Sequence, residues 1–122
     1  MPTADRQEPK SQSRNFKTQD GVVLHSLYWE PKSQASETLA APVILLHGGG
    51  ANAHWWDAVA IRLALNRAVY ALDFRGHGDS SYPTTREIGA FNSDLEALLS
   101  SIGRENVVLV GHSMGAAVAL DH

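Results

Sequence analysis

The chain has 122 residues, enough for one domain with a modest core. It is 43% hydrophobic and 19% charged, an ordinary globular composition, and its net charge of −3 leaves no polybasic surface for nucleic acid or an anionic membrane. With no cysteine, disulfide frameworks, zinc knuckles and thiol chemistry are excluded, and no apolar run reaches the ~18 residues that a membrane helix needs.

Residues 1–15, rich in charge, Ser and Gln, read as a disordered N-terminal segment. They lack the apolar centre of a secretory signal, so the cytoplasm is the expected location. A single partial domain is expected over 16–122. In "FKTQDGVVLHSLYWE" the pair Asp20-Gly21 separates two strand-like runs, a hairpin signal, with the second strand expected from Val22 to Trp29. Pro31 ends it, and "KSQASETLAA" is a polar loop.

Three short apolar runs follow without clean alternation: "PVILLHG" (42–48), "AVYALDF" (68–74) and "NVVLVGH" (106–112). Such runs suit parallel strands buried on both faces. Helical patterns separate them. In "HWWDAVAIRLALN" Trp55, Val59 and Leu63 recur every four residues. In "AFNSDLEALLSSIG" Phe91, Leu95, Leu98, Leu99 and Ile102 make one stripe, closed by Gly103 at a C′ position. The expected fold is α/β: an antiparallel hairpin, then parallel strands with right-handed crossover helices.

Each buried run ends in a glycine-rich turn, and in such sheets function gathers at the carboxyl ends of the strands. In "GHSMG" a nucleophile on a strand-to-helix turn needs small residues two positions to either side, and Gly111 and Gly115 supply them around Ser113. The amide of Met114 would face a developing oxyanion at the helix N-terminus. In "HGGGANAHWW" Gly49 or Gly50 could bring a second amide to the substrate. Gly48, Gly50 and Ala53 also fit the dinucleotide pattern G-x-G-x-x-G/A, with Asp73 about where that pattern wants a ribose-binding acid. In "DFRGHGDS" the simpler reading is a turn whose backbone Asp73 and Asp79 fix by hydrogen bonds; the sharper one makes Asp73 catalytic. His77 and His112 either line the site or are ordinary packed or exposed side chains. Trp55 and Trp56 read as core and pocket wall. The six histidines show no metal-ligand spacing, so no metal is expected.

Together these three motifs, in this order and at about this spacing, resemble the α/β-hydrolase superfamily, most nearly its esterase, haloperoxidase-like and carbon–carbon hydrolase branch. The resemblance runs from about Phe16 to the end of the chain. It implies that Ser113 is the nucleophile, that the amides of Met114 and Gly49 form the oxyanion hole, and that His47 shapes the oxyanion loop. Gly48, Gly50, Gly111, His112 and Gly115 would shape the site around them. The implied substrate is a small acyl compound such as a carboxylic ester, with no cofactor. Haloalkane dehalogenases and epoxide hydrolases resemble the pattern but carry aspartate at the position of Ser113.

Relatives place the triad acid and histidine after the nucleophile, in the order Ser, Asp or Glu, His. Here nine residues follow Ser113. Asp121 and His122 would lie about 12 Å along the intervening helix, at ~1.5 Å per residue, outside hydrogen-bond reach. His77 and His112 are wrong by family order. The chain therefore reads as the N-terminal portion of such a fold, truncated before the later strands and two triad members, with little or no turnover expected of it alone. Two other readings stay open. One is a Rossmann-type dinucleotide-binding domain using Gly48, Gly50 and Asp73. The other is a non-catalytic fragment or pseudoenzyme, stable through self-association or a partner chain at the apolar edge Val107 to Val110.

Overall fold

The computed structural model describes residues 10–33, 40–85, 87–104 and 106–122. Residues 1–9 of the expected lead-in and 34–39 of the polar loop lie outside them. The hairpin turns where the sequence places it. Gly21 takes φ +86°, a left-handed conformation that glycine adopts at no steric cost. Its N–H donates to the Thr18 carbonyl at 3.0 Å, while the Val22 N–H donates to Thr18 Oγ1 at 2.9 Å. Strands β1 (Ser11–Lys17) and β2 (Val23–Trp29) pair antiparallel on either side, from Ser11 opposite Trp29 to Lys17 opposite Val23.

This corrects the start of the ordered chain, because residues 11–15 are strand rather than disordered lead-in. β1 is an outer strand whose side chains are almost all exposed, so it needs no apolar pattern. Its ladder to β2 holds it, and that pairing leaves no mark in the composition.

The buried runs become β3 (Val43–Leu46), β4 (Val69–Asp73) and β5 (Val108–Gly111). The sheet order is β1-β2-β4-β3-β5; β2 pairs antiparallel with β4, and β3 pairs parallel with both β4 and β5. β3 is wholly buried and β4 nearly so, as two-sided cover requires. β5 departs from that expectation. It is the other outer strand, and Val108 and Val110 remain exposed.

One face of the sheet packs Leu27, Trp29, Val43, Leu45, Val69 and Ala71 against Ala53, Ala60 and Ala64. These alanines come from a 3₁₀ turn (Ala53–Trp56), helix α1 (Asp57–Leu63) and the residue that follows it. The stripe expected here is only partly inward, since Leu63 packs on the core and Trp55 and Val59 do not. Trp55 and Val59 point to solvent, 70% and 46% exposed, while Ala60 and Ala64 are fully buried and Trp56, Ile61 and Leu63 pack beside them. Small residues let a helix lie close to a sheet, and a rule that rewards bulk overlooks them.

On the other face Ile44, Leu46, Leu72 and Phe74 meet helices α2 (Ala90–Ile102) and α3 (Met114–Asp121). The stripe on α2 is as expected. Leu95 and Leu98 are buried, worth roughly 1.5–3 kcal/mol each, and Phe91, Leu99 and Ile102 flank them. Gly103 ends the helix at φ +73°, its N–H bonded to the Leu99 carbonyl at 3.0 Å. Among the described residues no helix is long and apolar enough to cross a membrane.

Candidate active site

The carboxyl ends of β3, β4 and β5 lie side by side, so their three following turns share one end of the sheet. After β5 the chain reverses within two residues into α3. Ser113 makes that reversal at φ 54°, ψ −115°, the one non-glycine with positive φ among the described residues. The flanking glycines have no alternative. A Cβ on Gly111 would sit 2.5 Å from the Ala116 nitrogen, and one on Gly115 would sit 2.2 Å from the Leu46 carbonyl oxygen. The spacing around Ser113 is therefore a steric requirement of packing the elbow against β3.

Ser113 is exposed, and its side chain does not cap α3. Its carbonyl accepts from the N–H groups of Ala116 and Ala117, and the His112 carbonyl accepts from Gly115. The Met114 N–H is left with no acceptor among the described residues, as the first amide of a helix commonly is. Across from the elbow, a Cβ on Gly48 would come within 2.9 Å of His112 Nδ1 and 3.2 Å of Ser113 Cβ. The loop after β3 thus runs against Ser113, with Gly49 and Gly50 (φ +80°) open to solvent beyond it. The Gly49 N–H likewise has no acceptor among the described residues.

His47 is buried at the root of this loop. Its Nδ1–H donates to the Gly48 carbonyl at 2.7 Å, and its Nε2 accepts from the Phe74 N–H at 3.2 Å. With both nitrogens occupied in this way the ring is neutral, and burial lowers its pKa from the usual 6.5. It ties the end of β3 to the end of β4 and has no free nitrogen for proton transfer. The His77 ring lies 4.9 Å from that of His47, and its Nδ1–H donates to the Arg75 carbonyl at 3.0 Å. His112 is exposed and held through its backbone N–H, which donates to the Leu46 carbonyl.

Asp73 is buried and fully engaged. Oδ1 accepts from the Ala53 N–H at 2.7 Å; Oδ2 accepts from the Asp79 N–H at 3.1 Å and from His25 Nδ1 at 2.8 Å. The turn reading of "DFRGHGDS" therefore holds for Asp73, whereas Asp79 takes part through its backbone. The dinucleotide reading fails here, since an acid that binds ribose must present a free carboxylate. Gly78 is pinned by the same group, because a Cβ there would lie 2.3 Å from the Asp73 carboxylate.

Sequence reasoning missed two clusters. Arg75 and Asp94, both buried, pair at 2.8 Å, and Asp94 also accepts the Arg75 N–H. His25, Asp73 and Asp79 bring possible ligand atoms within 4.8 Å of one another, although His25 and Asp73 already bond each other. Neither cluster has a spacing signal: strand pairing brings His25 to Asp73, and the packing of α2 on the sheet brings Asp94 to Arg75.

Among the described residues no side chain hydrogen-bonds the Ser113 hydroxyl. Asp121 accepts from Asn92 at 2.9 Å and His122 pairs with Glu96 at 3.1 Å, so both are turned toward α2.

A sequence profile described as "Alpha/beta hydrolase family" matches residues 43–122. An uncharacterized protein of Mycobacterium tuberculosis is 38% identical over 79 residues, covering 64% of this chain and 23% of its own. A fluoroacetate dehalogenase of Burkholderia sp is 38% identical over 90 residues, covering 66% of this chain and 30% of its own. Among solved structures, an alpha/beta hydrolase from Novosphingobium aromaticivorans superposes with a TM-score of 0.80 at 31% identity, over 90% of this chain and 38% of that one. An esterase from Exiguobacterium antarcticum gives 0.78 at 26% identity, over 90% and 39%. The chain thus spans less than a third of the curated relatives it matches.

Proposed function

The chain belongs to the alpha/beta hydrolase family, and from that premise we propose that it carries the nucleophile and oxyanion hole of a serine hydrolase acting on carboxylic esters or related acyl compounds. The observation that carries this reading is the strained elbow at Ser113, since only a functional need explains a serine where the backbone favours glycine. Ser113 Oγ attacks the acyl carbon, and the oxygen that becomes negative is met by the amides of Met114 and Gly49. The carbon–oxygen bond to the leaving alcohol breaks, and water then hydrolyses the acyl-serine. A serine here favours acyl transfer over dehalogenation or epoxide hydrolysis, because haloalkane dehalogenases and epoxide hydrolases resemble this pattern with aspartate in its place.

Among the described residues none hydrogen-bonds the Ser113 hydroxyl; in this proposal the base that takes its proton is a histidine later in a longer protein or on a partner. A serine without a base is a weak nucleophile at neutral pH, and residues 1–122 alone are expected to turn over little or nothing. The test uses the protein isolated from its native source. Ester hydrolysis there should fall by roughly 10³-fold or more with Ser113→Ala. Hydrolysis that survives the substitution, or robust Ser113-dependent turnover by purified 1–122, overturns the proposal.

A further inference from the structure

While no described side chain hydrogen-bonds the Ser113 hydroxyl, another serine of the chain has an imidazole beside it. Ser13 lies on the outer strand β1, exposed, and its hydroxyl is 2.9 Å from His25 Nε2. The other ring nitrogen, His25 Nδ1, is 2.8 Å from Asp73 Oδ2. Strand register builds this line of three groups. Ser13 stands opposite Leu27 and His25 opposite Asn15, so Ser13 and His25 are diagonal neighbours on one face, and His25 stands directly opposite Asp73 on the next strand. His25 and Asp73 are both buried.

The hydrogen bonds fix the roles. Asp73 is held by the Ala53 and Asp79 amides and can only accept from the imidazole, so Nδ1 carries the proton. Nε2 is then the acceptor, and the Ser13 hydroxyl donates to it. The His25 backbone is itself locked, its N–H donating to Ser80 Oγ at 2.8 Å while that hydroxyl donates to the Asp73 carbonyl at 2.6 Å. A nucleophile, an oriented base and a carboxylate that steadies the imidazolium are the components of hydroxyl activation, whatever fold supplies them.

We propose that Ser13 is a base-activated acylation site that takes acyl groups from small activated esters. The site sits on an outer strand with Ser13 exposed, which admits small donors and makes a good leaving group necessary. Ser13 Oγ forms a bond to the acyl carbon and the bond to the leaving oxygen breaks. The hydroxyl proton passes to His25 Nε2 and from there to the departing phenolate or alkoxide. General-base assistance of this kind is worth roughly 10²–10⁴ in rate.

The experiment starts from Ser113→Ala, which removes the elbow nucleophile and leaves Ser13 untouched. Treatment with p-nitrophenyl acetate followed by peptide mass mapping should find the acetyl group on Ser13 and absent from Ser11, an exposed serine of the same strand. A second measurement exploits the absence of cysteine from the chain. Ser13→Cys should be alkylated by iodoacetamide at about pH 6 at least roughly tenfold faster than Ser11→Cys, because an adjacent imidazole stabilises the thiolate. The difference should vanish in denaturant. Acetylation of Ser13 no faster than of Ser11, or equal alkylation rates in the folded chain, overturns the proposal.

Discussion

Ser113 holds a conformation that costs about 1–3 kcal/mol for a residue with a side chain, and it persists because the surrounding packing leaves no other path. Gly111 and Gly115 press against Ala116 and Leu46, and the amides of Gly115, Ala116 and Ala117 are already committed to carbonyls of the turn. Removing the side chain should release the strain. Ser113→Gly is expected to stabilise the chain by about 1 kcal/mol, seen as a higher midpoint in urea, while abolishing the proposed nucleophile. A lower midpoint would mean that the serine is not strained. This elbow was legible in the sequence because its steric demands, local at Gly111 and across to Leu46 at Gly115, all fall on residues within a five-residue window. The line of Ser13, His25 and Asp73 was not, since its members stand 12 and 48 residues apart and meet only through strand register.

Between elements, His47 joins the end of β3 to the residue that follows β4. Its ring bridges the Gly48 carbonyl and the Phe74 amide in the neutral form only, since a proton on Nε2 would destroy the acceptor. Burial lowers its pKa below 6.5, so the unfolded chain binds this proton more readily than the folded one. Its contribution to stability is therefore complete above the unfolded value and is lost as pH falls from there through the lower folded value. The urea midpoint should drop between about pH 7.5 and about pH 5.5, and His47→Gln, which keeps an acceptor but cannot titrate, should flatten that drop. An unchanged slope in the variant would remove His47 from the account. Sequence periodicity served unevenly at this scale. It placed α2 correctly because large residues line its buried face, and it misplaced Trp55 and Val59 because alanines line the buried face there.

The two edges of the whole sheet differ in kind. β1 carries Arg14 and Lys17 among hydroxyl and amide side chains, the sort of edge that discourages pairing with another chain. β5 offers Val108 and Val110, 41% and 36% exposed, and Leu120 on the adjoining α3 is 89% exposed. An apolar outer strand with free backbone groups is a template for another strand. The relatives are three to four times longer than the stretch they share with this chain, and more chain in a protein like them would have room to cover that edge. Residues 1–122 alone should accordingly self-associate at tens of micromolar, and Val110→Lys, which charges the edge without touching the core, should shift sedimentation toward a monomer. A wild-type chain that stays monomeric would show that the edge needs no cover, and the reading as a fragment stabilised by a partner would lose its footing. A native mass well above 13.2 kDa would instead place the cover in the same polypeptide, and with it the missing base for Ser113.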